Sequence, residues 1–259
     1  MRKVVAILVC VCTFTLLSGF TTQPQFTDVL SEASTPLMNK LEGRTNNIKL
    51  TCEMINGLVL EPNAVFSFNK IVGNRTAKRG FKPAPAFVNG QVVDSIGGGI
   101  CQLSSTLYYA SLLANLEIVS RTQHSFCPDY LEQAGLDATV DWDEGIDFKF
   151  KNNIKYPIKI LTWLKDSKVH VKLLGKKTNN NTVVMETKTL SKTPAKTVIR
   201  NNPKLAAGEK KVIQPTFDAS TVETYRIVKD EKGKIISRTF EAKSQYKRLD
   251  GIIECGNDD

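Results

Sequence analysis

The chain has 259 residues, of which 41% are hydrophobic and 24% are charged, so it contains enough apolar material for a core that needs no disulfide staples. This length predicts one main domain with a smaller partner. The formal net charge is +9, but the basic residues are scattered and form no stripe interleaved with aromatic residues. That pattern argues against nucleic acid as the partner.

The N-terminus has the layout of a secretory signal peptide. Basic residues precede an uncharged apolar stretch over residues 4–17, and the small residues Ser18 and Gly19 follow it. We therefore predict export, with a signal peptide over residues 1–22 and a tether over residues 23–43. An uncleaved membrane anchor is the alternative. For an exported protein of positive charge, the expected polyanionic partner is the cell wall or the membrane surface.

The main domain is expected over residues 44–175, and its strongest pattern is a helix. Apolar residues recur at helical spacing over residues 102–116, on a stripe wide enough for a buried helix, and a weaker pattern predicts a helix over residues 48–60. Cys101 directly precedes the stronger helix and follows three glycines that break any regular element. The expected fold class is α+β, with this cysteine at the N-terminus of a central helix packed on an antiparallel sheet.

Shorter alternating segments predict the strands. An Asn-Gly pair suits a tight turn, so residues 87–93 are expected to form a β-hairpin. Residues 176–207 are rich in Thr, Asn and Lys, and we predict a linker with some extended structure there. Residues 208–259 are predicted to form a small β-rich C-terminal region. The other predicted strands cover residues 65–69, 118–119, 138–140, 148–150, 156–163, 168–174, 212–213, 223–228 and 235–240.

Removal of the signal leaves four cysteines: Cys52, Cys101, Cys127 and Cys255. Four cysteines would allow two disulfides in an oxidising compartment, but their spacings are irregular and no CxxC pair occurs after the signal. With two histidines in the sequence there is no compact Cys/His cluster, so we predict neither a metal site nor a cofactor. The question becomes which cysteine acts alone.

Cys101 is the candidate nucleophile because a helix start lowers the pKa of a thiol. The helix macrodipole places partial positive charge there and leaves backbone N–H groups free. Gly98 and Gly99 would let a substrate backbone approach the sulfur, and Gln102 would add a donor for the oxyanion of an acyl intermediate. The alternative is a buried cysteine that acts only as a small hydrophobe.

A nucleophilic cysteine needs a base and an orienting partner. His124 is the candidate base, because the helix and short strand after Cys101 can fold back to the helix start. A carboxylate is expected as the third catalytic residue, with Asp137 ranked before Asp147, since an aspartate leading a strand can point back into a cleft. Ser125 would orient the substrate or the ring. The alternatives are a surface histidine and turn-forming aspartates.

These segments together resemble the VanW family over about residues 44–160, in the family's order and spacing. The matching stretches are Ile55-Asn56-Gly57, Phe66-Ser67-Phe68-Asn69, Val72-Gly73, Gly97-Gly98-Gly99-Ile100-Cys101-Gln102-Leu103-Ser104-Ser105-Thr106-Leu107-Tyr108, Arg121, His124-Ser125, Asp137-Ala138-Thr139-Val140 and Asp147-Phe148. The part from residue 208 onward resembles the short β-rich ends of such proteins more loosely.

The resemblance implies an L,D-transpeptidase of the cell wall that uses peptidoglycan stem peptides. Cys101 would form a thioester, His124 would act as base and then as acid, and the N–H groups at the helix start would form the oxyanion hole. A cysteine peptidase or amidase would use the same site with water as acceptor, and a non-catalytic wall-binding protein is the alternative from another class. Cys127 departs from the family pattern, and a disulfide with Cys101 would switch the enzyme off. The oligomeric state stays open.

Overall fold

Strands predominate over helices in the computed structural model, which describes residues 26–38, 40–88 and 91–257. The helices are α1 (Glu42–Ile55), α2 (Phe68–Val72) and α3 (Cys101–Leu113), with a 3-10 turn at Ala77–Arg79. The strands are β1 (Asp28–Pro36), β2 (Val59–Leu60), β3 (Val65–Ser67), β4 (Pro83–Val88), β5 (Gln91–Ile96), β6 (Glu117–Ser120), β7 (Lys149–Lys151), β8 (Ile158–Lys165), β9 (Lys168–Gly175), β10 (Thr182–Thr193), β11 (Thr197–Asn201), β12 (Lys210–Gln214), β13 (Ala219–Lys229), β14 (Ile235–Tyr246) and β15 (Gly251–Cys255).

The predicted signal peptide over residues 1–22 lies outside the described residues. Within the described part of the chain, no helix has the length and the apolar character required to cross a membrane.

One antiparallel sheet, in the order β1-β9-β8-β2, carries the core of the main domain. Burial alternates along β9, where Val169, Val171 and Leu173 are fully buried. α3 packs on β1 and β9, and α1 packs on β8. Leu103 and Leu107 of α3 are fully buried as well, and each such side chain contributes about 1.5–3 kcal/mol relative to exposure. This packing fixes α3 and, with it, the position of its first residue.

The predicted tether over residues 23–43 is wrong where the structure describes it. Asp28–Pro36 is an edge strand of the core sheet and pairs antiparallel with β9. Its inward residues are small or polar, and the Ser31 hydroxyl donates to the Ala110 carbonyl of α3 at 2.7 Å. A strand whose buried positions are hydroxyl and alanine side chains lacks the apolar alternation that sequence analysis detects.

Two early elements differ in extent from the prediction. The helix predicted over residues 48–60 is α1, which ends at Ile55, and Gly57 then turns the chain towards β2 with a φ of 85°. The strand predicted over residues 65–69 stops at Ser67, whose hydroxyl caps α2. A capping side chain therefore starts a helix where alternation had indicated a continued strand.

Two later elements also differ. The β4–β5 hairpin is longer than predicted, and its turn lies outside the described residues. The strand predicted over residues 138–140 is reduced to an isolated bridge between Thr122 and Thr139. That bridge nonetheless holds the segment in front of α3.

The C-terminal half forms two further sheets, in the orders β10-β13-β14 and β11-β15-β12. The predicted linker over residues 176–207 is wrong, because β10 pairs with β13 along its length and β11 pairs in parallel with β15. β11 is exposed throughout, so it has no buried face that would produce an alternating pattern. β10 contacts α3, and Arg226 of β13 donates to the Leu116 carbonyl at 2.8 Å. The C-terminal region therefore lies directly against the main domain.

Candidate active site

Cys101 is the first residue of α3, after a tight turn that contains three consecutive glycines. Gly97 and Gly99 have φ angles of 86° and 98°, in the left-handed region that other residues avoid. A Cβ atom on Gly98 would lie 2.2 Å from the Ala84 carbonyl oxygen of β4. The glycines thus let the turn approach the hairpin and bring the thiol to the helix start.

Gly98 and Gly99, which were expected to bind substrate, pack against other residues of the protein. Gly98 is buried, and its carbonyl accepts a hydrogen bond from Asn47 Nδ2 at 3.0 Å. A Cβ atom on Gly99 would meet the Arg44 side chain at 2.6 Å. Both glycines accommodate neighbouring protein groups, so the structure accounts for them without a substrate.

The backbone N–H groups at the start of α3 differ in whether a carbonyl of the protein already accepts their hydrogen bond. The N–H groups of Gln102 and Leu103 donate to the carbonyls of Gly99 and Ile100 at 3.1 and 2.9 Å. Within the described part of the chain, the N–H of Cys101 itself has no acceptor. One donor beside the sulfur is therefore free to bind an oxyanion, and the macrodipole of α3 adds to its positive potential.

The sulfur lies among polar groups from the segment after His124. Cys101 Sγ is 3.6 Å from Thr139 Oγ1 and 3.5 Å from the Val140 carbonyl oxygen. α3 holds this segment in place, since the Ser104 hydroxyl donates to the Ala138 carbonyl at 2.6 Å. The helix that presents the thiol therefore also positions the groups that surround it.

His124 connects the thiol to Asp137. Its Nδ1 atom lies 2.7 Å from Asp137 Oδ2, and its backbone N–H donates to the same oxygen at 2.7 Å. The ring and the thiol lie close enough for each to shift the pKa of the other. Because Nδ1 is bound to the carboxylate, Nε2 is the ring nitrogen that is left to exchange a proton with the thiol. The structure thus brings together Cys101, His124 and Asp137, which were ranked first from the sequence.

Asp137 is fully buried and held on its second oxygen by two further donors. Arg121 Nη2 donates to Oδ1 at 2.9 Å, and the Tyr246 hydroxyl donates to the same atom. Arg121 Nε also donates to the Asp137 carbonyl at 2.6 Å. Burial raises the pKa of this carboxyl, but the hydrogen bonds and the charges of His124 and Arg121 have the larger combined effect and lower the pKa to about 2. The carboxylate is therefore ionised throughout the neutral range.

The electrostatics favour a thiolate–imidazolium pair. Burial raises the pKa of Cys101, but the hydrogen bond and charge of His124 outweigh it and lower that pKa to about 7. Burial lowers the pKa of His124, but Asp137 and Cys101 outweigh it and raise that pKa to about 9. Each group stabilises the charged form of the other, so both are charged between these two values.

Cys52 and Cys127 lack this activation. Cys52, Cys101, Cys127 and Cys255 are all free thiols. Burial raises the pKa of Cys52 to about 12 and that of Cys127 to about 11. Cys127, considered above as a disulfide partner of Cys101, therefore has little thiolate character near neutral pH.

The second-ranked carboxylate, Asp147, is wrong as a partner of His124. Its Oδ2 accepts from the Ser67 hydroxyl at 2.6 Å, and its Oδ1 accepts the Asn69 N–H at 2.9 Å. Both donors lie at the start of α2, where a carboxylate accepts hydrogen bonds from free N–H groups and its negative charge interacts favourably with the helix dipole. Asp147 therefore supports α2 and does not contact the imidazole.

Gln102 is also wrong as a substrate donor. Its side chain is only 1% exposed, and its Nε2 donates to the Pro36 carbonyl at 2.8 Å. Its Oε1 accepts from Arg44 Nη2 at 2.7 Å. The amide therefore joins α3 to the end of β1 and to Arg44 of α1. Ser125 lies beside His124 and is exposed, and its carbonyl accepts the Lys247 N–H at 2.7 Å.

Three residues at the site were not predicted. Arg121 and Thr139 lie in the family-like stretches, and that resemblance was the one signal that could have drawn attention to them. Tyr246 is 109 residues from Asp137 and lies in no motif. Among the described residues, no group of three or more His, Cys, Asp or Glu side chains is arranged to hold a metal ion.

Sequence comparison relates the main domain to known proteins. The family described as "VanW like protein" matches residues 43–174. The uncharacterized protein YoaR of Bacillus subtilis is 42% identical over 134 residues, which cover 52% of this chain and 44% of YoaR. The vancomycin B-type resistance protein VanW of Enterococcus faecalis is 32% identical over 133 residues, which cover 49% of this chain and 48% of that protein. The match thus spans about half the length of these curated relatives.

Among solved structures, the chain is similar to an IgA1 protease G5 domain. The identity is 26%, the alignment covers 32% of this chain and 100% of that domain, and the TM-score is 0.18.

Proposed function

Because the chain belongs to the VanW family, we propose that it is an exported cell-wall enzyme that cross-links peptidoglycan stem peptides, an L,D-transpeptidase. The observation that carries the proposal is the arrangement of three groups: Cys101 at the start of α3, His124 close to it, and the buried Asp137 carboxylate 2.7 Å from His124 Nδ1. A nucleophile, a base and an orienting carboxylate in this order are the groups that acyl transfer requires. The net charge of +9 is consistent with work at an anionic wall surface.

The first half-reaction forms the acyl-enzyme. The Cys101 thiolate attacks the carbonyl carbon of the peptide bond between the third and fourth stem residues. The N–H of Cys101 binds the oxyanion of the resulting tetrahedral intermediate. The carbon–nitrogen bond then breaks, and His124 Nε2 gives its proton to the departing amine of the fourth residue. The third residue is left as a thioester on Cys101, with a neutral His124.

The second half-reaction transfers the acyl group. A neutral amine on a neighbouring stem attacks the thioester carbonyl, and His124 Nε2 takes the proton that this amine loses. The carbon–sulfur bond breaks, the new peptide bond forms, and the thiolate and the imidazolium are restored. Asp137 keeps the ring in one orientation through both steps, because its Oδ2 binds Nδ1 and the backbone N–H of His124.

The test is product analysis with the chain from which the predicted signal is removed. The protein is incubated with tetrapeptide muropeptides, beside Cys101→Ala and the matched thiol variant Cys127→Ala. We expect dimers cross-linked through the third residues with the wild type and Cys127→Ala, and none with Cys101→Ala. Shortened monomers without dimers would replace the transpeptidase by a cysteine peptidase. No product, with equal binding of all three proteins to wall sacculi, would favour a non-catalytic wall-binding protein.

A further inference from the structure

The C-terminal sheet contributes a side chain to the support of the catalytic carboxylate. Tyr246 is the last residue of β14 and is only 4% exposed. Its hydroxyl donates to Asp137 Oδ1 and accepts the Gly135 N–H at 2.8 Å. The Tyr246 hydroxyl thus acts as both donor and acceptor, and both of its partners lie in the segment from Gly135 to Asp137.

A second residue of β14 binds the other support of the carboxylate. Ser244 lies two residues before Tyr246, so both side chains point to the same face of the strand. Ser244 is fully buried, and its hydroxyl oxygen accepts from Arg121 Nη1 at 2.9 Å. Arg121 in turn donates to Asp137 Oδ1. β14 therefore supplies one of the two donors to Asp137 Oδ1, Tyr246, and binds the other, Arg121, through Ser244.

Two further contacts join this sheet to the segment that carries His124 and Asp137. The Lys247 N–H donates to the Ser125 carbonyl at 2.7 Å, immediately after His124. A Cβ atom on Gly135 would lie 2.4 Å from Thr224 Oγ1 of β13. The φ angle of Gly135 is 92°, which favours glycine there as well. The sheet is seated against the segment that carries the imidazole and its partner.

We propose that Tyr246 is a positioning residue for the Cys101–His124–Asp137 site, and that the β10-β13-β14 sheet completes it from outside residues 43–174, the range that matches the VanW family. This inference rests on the catalytic roles given under the proposed function. Arg121 and Tyr246 together occupy Oδ1, so Oδ2 is left to bind His124. The family-like range therefore does not by itself hold every group that orients the catalytic histidine.

Loss of the Tyr246 hydroxyl leaves a buried carboxylate oxygen short of one donor. A carboxylate in a fully buried place must regain that hydrogen bond or take up a proton more readily. The first response draws Asp137 away from His124 Nδ1, and the second removes the negative charge that stabilises the imidazolium. The charged groups bound to Asp137 are His124 and Arg121. The other ionisable groups near it are Tyr108, Tyr130 and Cys127.

The experiment is a double-mutant cycle on the full chain, read out by the alkylation rate of Cys101 with iodoacetamide at pH 7. The variants are Tyr246→Phe, Asp137→Asn and the pair, with the modified cysteine identified by peptide mass spectrometry. Tyr225→Phe is the matched control, because it removes a hydroxyl of the same sheet that donates to Glu223 at 2.8 Å. We expect Tyr246→Phe to slow alkylation about three- to tenfold, which corresponds to a rise of roughly 0.7 to 1.3 units in the pKa of a thiol that starts at about 7. In the Asp137→Asn background the same change should alter the rate less than about twofold.

Two outcomes would overturn the proposal. The first is a wild-type rate in Tyr246→Phe, and the second is an equal loss with and without Asp137, which would indicate a merely structural role. If thermal unfolding shows that Tyr246→Phe does not fold, Ser244→Ala must slow alkylation in the same direction, and a wild-type rate there would also contradict the inference. Alkylation needs no peptide substrate, so the two proposals can fail separately. If no muropeptide dimers form but the mutant cycle gives the expected rates, the transpeptidase is rejected and the positioning role of Tyr246 is kept.

Discussion

Asp137 Oδ2 accepts two hydrogen bonds from one residue, His124, through its ring Nδ1 at 2.7 Å and its backbone N–H at 2.7 Å. The same atom therefore fixes both where the backbone of His124 runs and how its ring is turned. A ring held in this way presents Nε2 to Cys101 in one tautomer. This relationship leads to predictions about charge, pH and packing.

Replacement of Asp137 should remove the activation of Cys101. In Asp137→Asn the imidazolium loses its counter-charge, and the amide can hold the ring in the wrong tautomer. We expect the pKa of Cys101 to rise by about one unit or more, and alkylation at pH 7 to slow about fivefold or more. The measurement is the pH dependence of the iodoacetamide rate. Asp147→Asn is the matched control, because its carboxylate supports α2. It should leave this profile unchanged and cost about 0.5–2 kcal/mol of folding stability.

The pH profile of the wild type should have two limbs. The pKa of Cys101 is lowered to about 7 by His124, so the reactive thiolate appears as the pH rises through that value. The pKa of His124 is raised to about 9 by Asp137 and Cys101, so the acid that protonates the departing amine is lost as the pH rises through that value. Turnover should therefore be greatest between about 7 and 9. A transfer rate that rises steadily through pH 10 would contradict this assignment of His124.

The turn before Cys101 should not tolerate a side chain at Gly98. A Cβ atom there would lie 2.2 Å from the Ala84 carbonyl oxygen, a backbone atom that cannot rotate away. We expect Gly98→Ala to cost about 1–3 kcal/mol in the free energy of unfolding and to slow alkylation of Cys101. Gly208→Ala is the comparison, because nothing lies within 4 Å of its Cβ position and its φ of 75° makes it report backbone strain without a clash. Thermal unfolding should show the larger loss for Gly98→Ala. An equal loss in the two variants would mean that the close approach to β4 is not what requires glycine.

The parts of the site that are local in sequence could be predicted, and the parts that depend on distant contacts could not. The glycine-to-helix transition identified Cys101, and short intervening segments made His124 and Asp137 candidates. Asp147 met the same criterion of proximity, but sequence gives no sign that its oxygens are already bound by α2. Tyr246 is 109 residues away and has no local pattern that would associate it with a carboxylate.

The fold shows the same limit for strands without apolar alternation. β1 places Ser31 and Thr35 against the core, and β11 is exposed throughout, so neither has the period-2 apolar pattern of β9. Both segments were therefore predicted as a tether or a linker. Their strand structure comes from pairing with distant partners, since β1 joins β9 and β11 joins β15. Propensity within one segment cannot predict such pairing.

The measurement that tests the central claim most directly is the intact mass of the protein after incubation with a tetrapeptide donor and no acceptor amine. We expect an adduct equal to the donor without its fourth residue, located on Cys101 and removed by hydroxylamine. The adduct should be absent from Cys101→Ala and present in Cys127→Ala. An unmodified wild-type mass while the donor is being consumed, or an adduct that persists in Cys101→Ala, would contradict the thioester on which the account depends.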